Sequence, residues 1–245
     1  MKIGIIGCTG RLANEIIELL QKQNVHTLSS AIARKGNQSV GKTINFNSEL
    51  VEISSDIMKC ETCDVLIDAT RRDVFIEQNI DNYKKLGKPL VIATTGFNKD
   101  DEEKIKDLST EIPVCKSANF SEELLYFIES LKTYSKFTNT KNVVIVEYHH
   151  INKKDIPSGT SLLIRDEIIA ANTEISVSIN SIRAGDIKGE HVILFANDYG
   201  EEVVFKHKAT NRSVFAGGII KAAEKLVNKK PAFYTFSKLL EEKKL

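Results

Sequence analysis

The chain has no long apolar run, almost no net charge and few cysteines, and each shortage excludes something. Across 245 residues no hydrophobic stretch approaches the roughly 20 residues that a membrane span needs, so no membrane association is expected. Lys and Arg total 34 against 33 Asp and Glu, a net charge of +1, so bulk attraction for nucleic acid or a lipid surface is absent. The start, Met1-Lys2-Ile3-Gly4, reads as a strand and lacks a secretion-signal pattern. With that, the four cysteines (Cys8, Cys60, Cys63, Cys115) imply reduced thiols and a cytoplasmic location. Cys60-Glu61-Thr62-Cys63 is one CxxC without a second ligand pair, so no metal site is expected and the two thiols read as unlinked. Repeats, low-complexity tracts and long linkers are also missing. One further gap is local: no Asp or Glu occurs between Glu18 and Glu49.

What is present begins at the N-terminus. Lys2 to Ile6 is a short apolar strand that runs into Gly7-Cys8-Thr9-Gly10-Arg11-Leu12-Ala13. An amphipathic helix follows, with Ile16, Ile17, Leu19 and Leu20 apolar. In a strand–turn–helix context, glycines let the backbone approach a pyrophosphate lying on the helix N-terminus. The spacing is G-x-x-G-x-x-A rather than G-x-G-x-x-G, and a tight turn in another α/β protein would look similar. Its place after the first strand favours a dinucleotide. A second strand spans about Val25 to Ala33. NAD-binding sheets carry an acid at its end for the ribose 2′-hydroxyl. Here Arg34 and Lys35 stand there instead, which favours NADPH, with NADH possible; a basic surface loop is the alternative.

Asp64 to Thr70 is a third strand, and Arg72 to Leu86 is a helix ended by Gly87. Leu90 to Thr94 and Pro113 to Ser117 read as further strands, with a charged helix from Lys99 to Leu108 between them. Strands alternating with helices imply a parallel sheet. Ligands of such sheets sit beyond the carboxyl ends of the strands. Thr70, Thr94-Thr95-Gly96 and Ser117-Ala118-Asn119-Phe120 lie at such ends and are candidates for a nicotinamide pocket.

After Phe120 the pattern changes. Ser121 caps a helix whose first turn holds Glu122 and Glu123. Asn142 to Glu147 reads as a buried strand. It leads into His149-His150-Ile151-Asn152-Lys153-Lys154-Asp155-Ile156-Pro157-Ser158-Gly159-Thr160, and a helix follows with Ser158 as its N-cap. Two His and two Lys beside a helix N-terminus suit a small polyanion with an imidazole at hand to move a proton. Neighbouring strand residues face opposite ways, so at most one His faces such a site; a structural His and a solvated Lys pair are the plainer alternative. Strands dominate afterwards (Ile175 to Ile182, His191 to Ala196, Glu202 to Lys208), making a second sheet covered on one side by helices. Val214 to Lys229 is a helix in which Gly217-Gly218 invites another backbone.

Glu147-x-His149-His150-x-x-Lys153-x-Asp155-x-Pro157-Ser158-Gly159-Thr160 closely resembles the signature of the 4-hydroxy-tetrahydrodipicolinate (dihydrodipicolinate) reductase family. Gly7-x-x-Gly10-Arg11, Thr94-Thr95-Gly96-Phe97, Ala118-Asn119-Phe120-Ser121 and Arg183-Ala184-Gly185-Asp186-Ile187-x-Gly189-Glu190-His191 match further along. The resemblance implies an α/β fold: a Rossmann-like parallel-sheet nucleotide-binding domain (1–120 with the C-terminal helix 214–245) plus a second α+β domain with an open mixed sheet (121–213) for substrate binding and tetramerisation. It implies a homotetrameric NAD(P)H-dependent enzyme of diaminopimelate and lysine biosynthesis that reduces a cyclic dicarboxylate. By the same resemblance His149 is the proton donor and Lys153 a second catalytic and substrate-binding residue. His150, Gly159 and Thr160 hold the substrate's carboxylates. Gly7, Cys8, Thr9, Gly10, Arg11, Leu12, Arg34, Ala93, Thr94, Thr95, Ser117, Ala118, Asn119 and Phe120 match cofactor-contacting positions. Where members often have an acid before the arginine matched by Arg34, this chain has Ala33; Ala93 replaces a frequent glycine. Two rival readings stand beside this one. One is a related dehydrogenase of another small acid, such as an amino-acid or semialdehyde dehydrogenase; semialdehyde chemistry would need a nucleophile, for which Cys115 is the candidate. A non-catalytic NADPH sensor would have no need of His149 and Lys153.

Overall fold

The structure is a computed structural model that describes residues 1–211 and 213–241. Arg212 and residues 242–245, which the sequence reading placed inside the two domains, lie outside the described residues. The chain divides into two compact units, one built from Met1–Phe120 and the segment from Phe215 onward, the other from Ser121–Val214.

The first unit opens with β1 (Lys2–Ile6), α1 (Arg11–Gln23) and β2 (Thr27–Ile32). β1 is buried on both faces, as a central parallel strand must be. Gly4 is required there: a Cβ would stand 2.9 Å from Cys63 Sγ and from Leu66 Cδ2. Two strands that the sequence reading passed over follow, β3 (Thr43–Phe46) and β4 (Glu49–Ser54). They form an antiparallel hairpin turned by Asn47 and Ser48, both at positive φ, the backbone a two-residue hairpin loop needs. A 3-10 turn at Ile57–Thr62 carries Cys60, which with Cys63 is a buried free thiol. Then come β5 (Val65–Asp68), α2 (Arg72–Val74) and α3 (Ile80–Leu86), joined by a π-helical turn at Phe75–Asn79, so the expected Arg72–Leu86 helix is interrupted once. Gly87 closes it in the left-handed conformation. β6 (Leu90–Ile92), α4 (Lys99–Ser109) and β7 (Pro113–Lys116) complete this stretch.

The second unit is α5 (Glu122–Phe137), β8 (Asn142–His149), α6 (Gly159–Ala171), β9 (Ser176–Arg183), β10 (Glu190–Ala196) and β11 (Glu202–Lys208). Its sheet runs β11-β10-β8-β9. β8 is antiparallel to β10 and parallel to β9, hence a mixed sheet. Ser121 and Ser158 cap α5 and α6 through their hydroxyls. Both helices cover one face of the sheet, over a core that includes Leu124, Ile128, Val143, Ile145, Ile164, Ile193 and Phe195. Truncating Ile145 or Ile193 there would cost about 2–5 kcal/mol.

The chain then rejoins the first unit through α7 (Ser213–Leu226), β12 (Ala232–Tyr234) and α8 (Phe236–Glu241). The expectation of one C-terminal helix over 214–245 is corrected: α7 ends at Leu226, Pro231 bars a helix from continuing across it, and β12 and α8 follow. β12 pairs with β7 and adds a strand that the sequence pattern did not show. Gly218 is indispensable, since a Cβ would fall 1.6 Å from the Phe120 carbonyl oxygen. The finished sheet runs β12-β7-β6-β5-β1-β2-β4-β3 and is parallel apart from β3. Its order reverses between β1 and β5, the switch point where such sheets bind ligands.

Candidate active site and cofactor cleft

At that switch point the glycine turn is folded tightly. Gly7 has φ +86, and a Cβ on it would stand 2.6 Å from the Ala69 carbonyl oxygen. The Gly7 and Cys8 amides donate to the Ile32 carbonyl at 2.8 and 3.0 Å, and the Gly10 amide to the Gly7 carbonyl at 2.9 Å. Gly10 is the N-cap of α1 without a side-chain cap, so the helix dipole opens onto the turn. A cavity of about 460 Å³ beside it is lined by Gly7, Thr9, Gly10, Arg34, Lys35 and Thr70, among others. Arg34 and Lys35 are exposed and have no ion-pair partner among the described residues. The Gly7, Cys8 and Gly10 amides are spent on carbonyls, but the uncapped first turn of α1 beside two cations suits the phosphates of a dinucleotide.

Other expected cofactor residues stand elsewhere. Cys8 is buried, with its thiol pushed up to about 11 by burial. Arg11, Leu12, Ala93, Thr95 and the Ser117–Phe120 segment are not among the cavity's lining. Phe120 is buried with its ring 5.4 Å from that of Phe236, a packing position. Thr94 is buried and donates its hydroxyl to Asp68. The wall includes residues that sequence reasoning missed: Asn37, whose amide donates to Thr9 Oγ1 at 3.3 Å, and Arg71, Gln78 and Asn79. Arg71, just past the end of β5, was the one with a positional signal.

Asp68 anchors this end of the sheet. It is fully buried and accepts from the hydroxyls of Tyr83, Thr94 and Thr70 and from the Thr70 amide. Burial raises its pKa above the usual value, against the pull of these bonds.

In the second unit β8 alternates, and Val143, Ile145, Glu147 and His149 share its buried face. His149 ends the strand, only 8% exposed, so it and not the half-buried His150 continues the inward series. His149 Nδ1 is bonded to Glu147 Oε2. Glu147 Oε1 accepts from Arg183 of β9 at 2.8 Å and from the Ser158 amide at 3.3 Å. Arg183 also donates to the Asp155 carbonyl at 2.7 Å, tying down the loop that carries Lys153. Burial alone would raise the Glu147 pKa, but Arg183 and His149 outweigh it and hold it near 2. Burial lowers His149 below the usual imidazole value, opposed by Glu147. Lys153 Nζ pairs with Asp155 at 2.8 Å. Gly159, with open space around its Cα, and the buried Thr160 form the first turn of α6. The structure thus gathers His149, Lys153, Gly159 and Thr160 within one strand end, loop and helix start. Arg183 and Glu147 are the members that the sequence reading gave no role.

Parallel sheet, glycine turn and acid–base cluster together define a dinucleotide-dependent oxidoreductase. Two family profiles, described as the N-terminus and the C-terminus of dihydrodipicolinate reductase, match residues 1–120 and 124–240. The chain belongs to the dihydrodipicolinate reductase family, and its activity is that family's NAD(P)H-dependent reduction of 4-hydroxy-tetrahydrodipicolinate in lysine biosynthesis. It is 33% identical to the 4-hydroxy-tetrahydrodipicolinate reductase of Buchnera aphidicola subsp. Schizaphis graminum (strain Sg), over 99% of this chain and 97% of that one. It is 32% identical to that of Thermosipho africanus (strain TCF52B), over 99% of each. Among solved structures, a dipicolinate-bound dihydrodipicolinate reductase from Paenisporosarcina sp. TG-14 aligns with TM-score 0.74 at 17% identity, over 96% of this chain and 97% of that one. An aspartate semialdehyde dehydrogenase II from Vibrio cholerae aligns with TM-score 0.62 at 11% identity, over 100% and 99%, a likeness of fold. Cys115, the nucleophile that chemistry would need, is fully buried with its thiol pushed up to about 12 by burial.

Proposed function

We propose that in this reduction His149 donates the proton, Lys153 stabilises developing charge, and His150, Gly159 and Thr160 hold the substrate's two carboxylates. The observation that carries the reading is that Glu147 and Arg183 tie together the buried imidazole of His149, the loop that carries Lys153 and the N-terminus of α6. The nicotinamide cofactor, when bound, supplies the hydride. Reduction of an unsaturated ring leaves a carbon that needs a proton, and an imidazole suits that donation near neutral pH. Lys153 beside the ring lowers the cost of negative charge there, and an incoming carboxylate competes for it with Asp155.

NADPH is the preferred donor, because Arg34 and Lys35 stand free at the end of β2 where an acid would select NADH. Gly7, Thr9 and Gly10 cradle its phosphates, with Cys8, Arg11 and Leu12 contributing backbone; Ala93, Thr94, Thr95 and Ser117, Ala118, Asn119 and Phe120 lie toward its nicotinamide end. The enzyme acts as a homotetramer, with 121–213 as the substrate-binding and assembly domain and 1–120 plus the returning C-terminal segment as the nucleotide domain. Support for assembly comes from the sheet face opposite the helices. Val144, Val146, Val192 and Leu194 are half-buried there and Val204 is 56% exposed, in adjacent register. A cytoplasmic location agrees with four free thiols.

Replacing His149 by Ala tests the core of the reading. The expected result is kcat down by about 10² to 10⁴, the range for general acid–base groups, with NADPH affinity kept. Turnover at the wild-type rate would remove His149 from the mechanism. Val204→Glu followed by analytical ultracentrifugation tests assembly: a tetramer that persists would move the interface elsewhere.

A further inference from the structure

We propose that Glu147 is a positioning residue for the reaction: its buried carboxylate locks the His149 ring with Nδ1 protonated, makes Nε2 the nitrogen that carries the transferable proton, and holds the first turn of α6 in place. The inference rests on the reading of His149 as proton donor and extends it to the group behind the imidazole.

Three observations carry it. Glu147 is fully buried yet ionisable, and Arg183 at 2.8 Å supplies the countercharge that keeps it a carboxylate. An ionised carboxylate only accepts, so the His149 nitrogen bonded to it, Nδ1, must donate. Nε2 is left for chemistry, and the residue beside it has no side chain to crowd it. Gly189 faces it, and a Cβ at that position would stand 3.3 Å from Nε2. The same carboxylate accepts from the Ser158 amide, and Ser158 caps the helix whose first residues are Gly159 and Thr160. One buried group therefore registers the proton donor against the anion-holding turn. After donation His149 is neutral, with its remaining proton on Nδ1 toward Glu147, ready to be reprotonated at Nε2.

The other groups around the ring do not substitute for it. Arg183 comes from β9, and Lys153 from the loop after β8. His191 of β10 packs edge-on at 5.5 Å between ring centroids, with His207 of β11 beyond it at 6.4 Å. Arg183 and Lys153 are cations that oppose protonation of His149. Both ring nitrogens of His191 are buried without a hydrogen-bond partner, and burial holds its pKa near 3, so it stays neutral.

The test is Glu147→Gln. The amide keeps an acceptor for Arg183 but presents N–H to His149, which selects the opposite neutral tautomer and removes the charge that favours imidazolium. The expected result is kcat down by about 10²-fold, with the KM for NADPH unchanged. The limb of the pH–rate profile that reports protonated His149 moves to lower pH by a unit or more, and Glu147→Asp regains part of the rate. Wild-type kcat and an unmoved limb in Glu147→Gln, in a protein where His149→Ala is inactive, would overturn the inference. An active His149→Ala would instead overturn the reading beneath it. Imidazole nitrogen NMR of the unmutated enzyme decides independently of how the variants fold. Neutral His149 is expected to carry its proton on Nδ1, and an Nε2–H tautomer would refute the proposal.

Discussion

Asp68 in the first unit and Glu147 in the second are both completely buried, and the two sit on opposite sides of the ordinary pKa range. Asp68 is surrounded by neutral donors, the hydroxyls of Tyr83, Thr94 and Thr70, and burial wins: its pKa is raised. Glu147 meets a guanidinium and an imidazole, and there the partners win, holding it near 2. Burial alone does not decide the charge state of a carboxylate; the charge of its donors does. Cations are placed differently at the two sites. In the first unit Arg34 and Lys35, beside the glycine turn, have no ion-pair partner among the described residues, although Arg72 elsewhere in that unit is tied to Asp101. In the second, Arg183 is tied to Glu147 and Lys153 to Asp155.

Acid gives the strongest test of this contrast. His149, His191 and His207 all lie below the usual imidazole value, chiefly through burial. The unfolded chain therefore takes up protons first. Stability of the second unit falls as pH drops below about 6.5. The loss from His191 alone reaches the order of 5 kcal/mol by pH 3. Glu147 adds about 3 kcal/mol that is present above the usual carboxylate value and disappears as pH falls toward 2. Asp68 has the opposite sign: its raised pKa favours the fold on the acid side and is lost as pH rises through the folded value. Hydrogen exchange across a pH series should show amides of β8 and β10 losing protection before those of β5 and β6. The reverse order would break the comparison.

Neutralising each carboxylate separates the two kinds of site. Glu147→Gln leaves Arg183 buried without its counterion and should cost about 3 kcal/mol. Asp68→Asn keeps an acceptor for its hydroxyls and should cost about 1–2 kcal/mol. Denaturant titration at pH 7 measures both, and equal costs would mean that the donors' charge is immaterial. Arg34→Ala removes a surface cation that no carboxylate occupies. NADPH binding should weaken about tenfold with NADH little changed, read by fluorescence titration; an equal effect on both would reject a 2′-phosphate role. Tyr83→Phe deletes one of the donors to Asp68 and should cost about 1 kcal/mol, seen as a small fall in the denaturation midpoint.

Much of this was legible in the residues. The alternation of strands and helices from Lys2 to Ser117 announced a parallel sheet, and Gly7 and Gly10 marked a turn that demands glycine at Gly7 through its positive φ and close contact with Ala69. His149 and Lys153 stood out as a cluster, and Ser121 and Ser158 as caps. The hairpin at Thr43–Ser54 was less visible, because only Asn47-Ser48 signals its turn, Leu50 is exposed and β3 is the sheet's edge strand. β12 is three residues long, too short for a period to show.

Local chemistry is what the amino-acid order determined by itself: which segments are strands or helices, where the backbone must be glycine, and which stretch concentrates imidazole and ammonium groups. Tertiary structure alone decided the partners. Tyr83 reaches Asp68 across 15 residues of chain and Arg183 reaches Glu147 across 36. Nothing in either neighbourhood indicates which buried acid receives a hydroxyl and which a cation. Short-range preferences depend on residues within a turn or two of each other and can be read along the chain. A charge state depends on what packs against it from elsewhere, and strand order settles that.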